Sequence, residues 1–220
     1  MRLRDVSVLL ALAAFAASPS RAQAPAAPSR DDIVNTLDKF DTAPELDLPA
    51  LKQKISDRSK MRGKNEPEPS KRPLIVPELK GLPTVNLAIQ FDVDTPIILP
   101  ESYETVGRIA DSFVNAPLLP YTFLIVGHSD SNGRREANVI LSQRRADAIR
   151  DVLVNTFKIS AKRIQSLGLG EEQFIDQAHP TSPVNLQIQI VTIGKVPDTE
   201  TPAQPAGATP ATKKSAKKKK

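Results

Sequence analysis

The 220-residue chain has no cysteine and no tryptophan, two histidines, and only seven Phe and two Tyr as aromatics. Without cysteine there is no disulfide, no thiolate chemistry and no attachment through a lipidated cysteine, so the fold must be held by its core alone. Two histidines, His128 and His179, without thiolates do not make a clustered ligand set, and neither a metal nor a cofactor is expected. Beyond residue 24 no apolar run is long enough to cross a bilayer, and the stretch before residue 84 is too short for even a small transmembrane barrel. The scarcity of aromatics predicts an aliphatic core.

What the chain does contain begins with Arg2 and Arg4, a largely apolar run from Val6 to Ala17, and small residues ending in Ala22-Gln23-Ala24. Residues 1–24 therefore read as a secretory signal peptide, with cleavage after Ala24, Ala22 or Ala16. The charge is uneven. Removing the signal region's net +2 and the six lysines after Thr201 from the formal +5 leaves −3 across residues 25–200. A mildly acidic body gives no reason to expect nucleic-acid binding, whatever the overall pI.

Residues 25–83 divide in two. Ser29 and Asp32 form a capping-box pattern, and Ile33, Leu37 and Phe40, then Leu51 and Ile55, keep helical spacing. These predict two short amphipathic helices that pack weakly or not at all. Prolines at 67, 69, 73, 77 and 83 then mark a linker. Residues 195–220 turn to Pro, Ala and Thr and end in KKSAKKKK, a composition that predicts a disordered tail, solubilising or weakly tethered to anionic envelope material.

Residues 84–194 carry the regular patterns. Val85, Leu87, Ile89 and Phe91 alternate as a strand; Val106, Ile109, Ala110 and Phe113 form a helical stripe; Thr122 to Val126 reads as a second strand. A long helix follows, with Leu141, Ala148, Ile149, Val152 and Leu153 counted inward, then a strand from Ile164 to Leu167 and another through Leu186–Ile190. The order β-α-β-α-β-β predicts an α/β (α+β) two-layer sandwich, two helices on one face of a four-stranded mixed sheet.

The densest stretch is GHSDSNGRREANVILSQRRA, from Gly127 to Ala146. Arg145 follows Leu141 by four residues, which puts a guanidinium on or beside the buried face, where it needs an anionic partner. Asp130 is one candidate, as an internal salt bridge; a ligand carboxylate is the other, with Asp130 left to hold an ammonium group. Ser129, His128 and Asp130 are the right types for a hydrolase triad, but neighbours in an extended segment point to opposite faces, and no catalytic residue is expected. Gly168-Leu169-Gly170 lacks the third glycine and the following helix of a dinucleotide fingerprint.

This stretch resembles the signature of the OmpA-like domain, the peptidoglycan-associating module of Gram-negative envelopes. Gly127, His128, Ser129, Asp130, Gly133, Asn138, Leu141, Ser142, Arg145 and Ala146 fall in register with it, as do Ile89–Asp92, Pro100-Glu101 and Gly168–Glu171 outside it. The resemblance implies that Asp130 and Arg145 clamp the zwitterionic head of diaminopimelate in a peptidoglycan stem peptide, with Asn138 orienting it. It further implies that backbone amides of Ser131 to Gly133 support the carboxylate and that Asp94 and Thr95 form an opposite wall. The implied setting is the periplasm, with peptidoglycan as partner and outer-membrane or other envelope proteins beside it. One departure stands out: where the family has Asn-Arg-Arg-Val, this chain has Asn185-Leu186-Gln187-Ile188. Loss of both arginines keeps open the alternative of a structural or protein-interaction module with a weakened or lost site.

Overall fold

The computed structural model describes residues 27–42, 46–61 and 67–196. The signal-peptide and lysine-tail readings lie outside the described residues. Among the described residues four α-helices occur: α1 (Arg30–Leu37), α2 (Leu48–Lys60), α3 (Tyr103–Phe113) and α4 (Arg135–Asn155). Four strands, β1 (Thr84–Leu87), β2 (Tyr121–His128), β3 (Ile164–Gly170) and β4 (Ile188–Lys195), form one sheet in the order β1-β4-β2-β3. β4 is antiparallel to both β1 and β2, whereas β2 and β3 run parallel and are joined by α4, since parallel neighbours need a crossover connection. The protein is thus a mixed α+β fold with α3 and α4 on one face of a mixed four-stranded sheet, as the element order predicts.

The core on that face is Phe123 and Ile125 of β2, Ile188 and Ile190 of β4, and Val85 and Leu87 of β1. Against them pack Val106, Ile109 and Phe113 of α3 and Ala146, Ile149 and Leu153 of α4. The Phe113 and Phe123 rings stack 4.0 Å apart.

Residues 27–82 differ from the expectation of loosely packed helices and a linker. The Ser29–Asp32 capping box forms, with the Asp32 amide donating to Ser29 Oγ at 3.2 Å and the Ser29 amide to Asp32 Oδ2 at 3.0 Å. α1 then buries Ile33, Val34 and Leu37 beside α3, and Thr192 Oγ1 donates to the Leu37 carbonyl at 2.8 Å. α2 and the segment after it, with 3-10 turns at Pro69–Lys71 and Pro77–Leu79, cover the opposite face of the sheet. Leu51, Ile55, Ile75, Val76 and Leu79 there bury Leu124, Val126, Leu167, Leu169 and Val191. The reason was already present in β2: Phe123-Leu124-Ile125-Val126 is apolar on both faces, so both faces need a cover. The prolines suppress long helix in this segment without keeping its Ile75 and Val76 from burial.

Candidate ligand cleft at the start of the motif helix

Helix α4 lies unusually close to the sheet. Its inward residues are Arg135, Ser142, Ala146, Ile149 and Leu153, and Leu141 and Ala148 are only half-buried, which shifts the inward face from the one counted in the sequence. The cause is backbone contact: a Cβ on Gly127 would run into the Ser142 carbonyl, and one on Gly168 would run into the Gln143 backbone. Only small residues fit where the helix touches β2 and β3. Ser142 Oγ then accepts the Gly170 amide at 2.9 Å and donates to the Val139 carbonyl at 3.0 Å, tying helix to strand.

That close seat places the motif's polar side chains around the carboxyl end of β2. An open cleft of about 430 Å³ is lined by Asp94, Asn132, Gly133, Arg134, Asn138, Leu141 and Arg144, among others. Arg145 stands half-buried beside it, with Nε donating to the Thr95 carbonyl at 3.1 Å and its guanidinium 5.0 Å over the Phe91 ring. Burial pulls its pKa below the ordinary arginine value, while the carboxylates of Asp94 and Asp130 pull it back up, so it stays cationic. Asp130 does not close on it. Its carboxylate accepts instead from Asn132, at 3.1 Å from the amide and 2.6 Å from the side chain. Of the two partners the sequence leaves open for Arg145, a direct Asp130 salt bridge is not formed among the described residues.

Asp94, with φ of 55°, sits in the loop after β1 and lines the cleft, and the carbonyl of its neighbour Thr95 accepts from Arg145 Nε. Gly133, with φ of 90°, lines it too. Two backbone donors assigned to this turn are already used: the Ser131 amide donates to the Pro180 carbonyl at 3.0 Å, and that of Asn132 to Asp130. Asn138 is likewise committed, its amide nitrogen lying 2.8 Å from the Asn132 carbonyl, 3.3 Å from the Asp130 carbonyl and 2.9 Å from Glu171 Oε2. These groups build the wall rather than face a ligand.

Sequence reasoning missed the ionic cluster behind that wall. Glu171 and Glu172, 4% and 2% exposed, follow Gly170 at the end of β3. Glu172 takes a two-pronged contact from Arg135, at 2.8 and 2.7 Å, and a third from Arg58 Nε at 3.1 Å; Glu171 pairs with Arg72 at 3.2 Å. Arg135 stands at the helix start within the motif, but its partner Glu172 is 37 residues on, and Arg58 and Arg72, which also meet this glutamate pair, come from the layer on the other face of the sheet. The loop before β4 was similarly opaque. Asn185, fully buried, accepts the Asp176 amide at 2.8 Å and donates to the His179 carbonyl at 2.9 Å, closing the loop, while Leu186 is exposed.

His128 is 2% exposed, with Nδ1 at 2.8 Å from the Gln173 carbonyl and Nε2 at 2.8 Å from Gln189 Oε1. Both ring nitrogens are engaged away from Ser129, whose Oγ has no partner among the described residues, so no Ser–His pair forms. Burial lowers the His128 pKa, and its two hydrogen bonds offset that only in part. As pH falls, the unfolded chain takes up this proton near pH 6.5, before the native state does. Stability should therefore fall as pH drops from about 7 through that value, until the native ring also titrates. Urea unfolding over that window should show the slope in the parent and a flatter one in His128→Gln; identical slopes would remove His128 as its source.

This is a β-α-β-α-β-β domain with an acid and a guanidinium held apart at one end of its sheet. Residues 90–185 match the model of the OmpA family. Over 97 residues it is 35% identical to outer membrane porin F of Pseudomonas aeruginosa, covering 44% of this chain and 27% of that protein. Over 92 residues it is 35% identical to the peptidoglycan-associated lipoprotein of Brucella melitensis, covering 41% of this chain and 53% of that one. The chain thus spans about a quarter to a half of the length of these curated relatives. Among solved structures it is similar to the OmpA-like domain of FopA1 from Francisella tularensis subsp. tularensis, with 17% identity and a TM-score of 0.42, covering 51% of this chain and 75% of that one.

Proposed function

We propose that this protein associates noncovalently with peptidoglycan in the cell envelope, on the periplasmic side, by holding the diaminopimelate of a stem peptide in the cleft beside α4. The observation that carries this reading is the separation of Asp130 from Arg145: the two charges bear on each other without a direct ion pair among the described residues, next to an open cleft lined by Asp94, Asn132, Gly133 and Asn138. A zwitterion supplies the missing bridge. Its ammonium group meets Asp130 and its carboxylate meets the Arg145 nitrogens not engaged by Thr95, with Asp94 on the far side. Asn138 shapes the cleft in this reading, since its amide is committed to Glu171 and the turn carbonyls. The relatives named for peptidoglycan association support the same assignment.

The test is cosedimentation with purified diaminopimelate-type sacculi, competed by free diaminopimelate. Asp130→Ala and Arg145→Ala should each weaken binding at least tenfold, since removing one side of a desolvated charge contact costs about 2 to 5 kcal/mol. Ser142→Ala, which loses a contact between helix and strand, should do less. A second reading, a structural or protein-interaction module with a weakened site, rests on Leu186 and Gln187 standing where the family carries arginines. Failure of the parent protein to cosediment even at low salt would favour it.

A further inference from the structure

Resting on the cleft reading above, we infer that residues 46–61 and 67–82 form a strap that positions the ligand cleft, with Arg72 and Glu171 as the positioning residues. The strap's apolar contacts spread across the sheet face, but its polar contacts to the rest of the molecule gather at the cleft end. Arg58 meets Glu172 at 3.1 Å, Arg72 meets Glu171 at 3.2 Å, and the Val76 amide donates to Gln173 Oε1 at 3.1 Å. The Gln177 amide donates to the carbonyls of Pro69 and Ser70 at 3.0 and 3.1 Å, and Arg135 Nη1 to the Met61 carbonyl at 3.1 Å. In each of these contacts the partner outside the strap lies at the start of α4 or in the loop between β3 and β4.

From Glu171 the connection continues to the ligand side. Its Oε2 accepts from the Asn138 amide at 2.9 Å, and that amide also holds the carbonyls of Asn132 and Asp130. Asn132 in turn holds the Asp130 carboxylate. Arg72 therefore acts on Asp130 through Glu171, Asn138 and Asn132 in sequence. Among the described residues, removal of Arg72 leaves the buried Glu171 carboxylate with the Asn138 amide and, as its remaining cation, Arg135 at the longer distance of 3.8 Å, so it tilts towards that guanidinium or takes up a proton. Either change weakens its hold on Asn138, and the Asp130 turn loosens. α2 and the segment after it lie before residues 90–185, outside the family match, whereas Glu171 and Asn138 lie within it.

The test uses the full chain, with Arg72→Met read in two ways: calorimetric binding of meso-diaminopimelate, and amide hydrogen exchange. Binding should weaken at least tenfold, and the Asn132 amide should exchange at least tenfold faster, while amides of Phe123 to Val126 stay as protected as in the parent. Arg72→Lys should recover part of both. Should Arg72→Met fail to fold, Arg72→Lys takes its place, with selective loosening at Asn132 as the expected result. Unchanged binding with unchanged exchange overturns the inference, and so does a uniform rise across β2 and the turn, which would make Arg72 a stability residue only. If the parent chain itself does not bind diaminopimelate, the cleft reading fails and the exchange pattern alone decides on the strap.

Discussion

Replacing Glu172 with alanine is expected to destabilise the protein by about 3 to 5 kcal/mol, the usual consequence of removing one partner from a buried ion pair. The side chain is fully buried and receives three charged contacts, two from Arg135 and one from Arg58. Alanine would leave two guanidinium groups close together with no counter-ion at that position, and a guanidinium cannot shed its charge. A loss of that size is a large part of a typical total of about 5 to 15 kcal/mol. It should lower the melting temperature by roughly 10 °C or more in a domain of this size. Glu172→Gln keeps the shape and one acceptor, so it should fall between. Thermal and urea unfolding measure both variants. A loss under about 1 kcal/mol for Glu172→Ala would put the cluster in the class of solvent-exposed pairs, and the buried-network account would then be wrong.

The Gly127→Ala and Gly168→Ala variants should each cost about 3 kcal/mol or more, at or beyond the upper end of ordinary overpacking. At Gly127 the new methyl overlaps the Ser142 carbonyl, whose carbon would stand 2.9 Å away; at Gly168 it meets Gln143, with Cβ at 2.7 Å. The obstacle is helix backbone, which cannot rotate aside as a side chain can. The helix must move off the sheet, and the Ser142 contact to Gly170 goes with it. Gly107→Ala is the control, because a methyl on that helical glycine meets nothing. It should be neutral or slightly stabilising through helix propensity. Equal unfolding midpoints for all three variants would show that α4 is not seated by its glycines.

Much of the fold was legible because its elements carry strong periodicity. The alternation of Val85 and Leu87, the stripe Val106, Ile109, Ala110 and Phe113, and the run from Phe123 to Val126 each specify an element without reference to the rest of the chain. The inward face of α4 was misplaced for a physical reason. A helix whose backbone touches the sheet presents Ser142 and Ala146 inward over its first half, where Leu141 is only half-buried, while Ile149 and Leu153 further on are buried as counted. The strap was misread because its anchors are few and its prolines many; the sign that a cover was needed lay elsewhere, in the two-sided apolar run of β2.

The candidate site divides along the same line. Asp130 and Arg145 were singled out from their places on one strand end and one helix, a local property, whereas Asn138 and the loop after β1 were added by resemblance. That Arg145 lies on Phe91 and the Thr95 carbonyl and that Asn138 is committed to Glu171 depend on segments 33 to 54 residues apart, and the Asp130 contact to Asn132 depends on how the turn between them closes. The sequence by itself determined which side chains carry charge, which strands and helices form, and that an arginine would stand at the edge of the core. The tertiary structure decided which carboxylate each arginine meets: Arg135 and Arg58 go to Glu172, Arg72 to Glu171, and Arg145 stays beside an open cleft. Ion pairing at that level follows from which layers are brought together, and pairs separated by as many as 99 residues leave no local pattern along the chain.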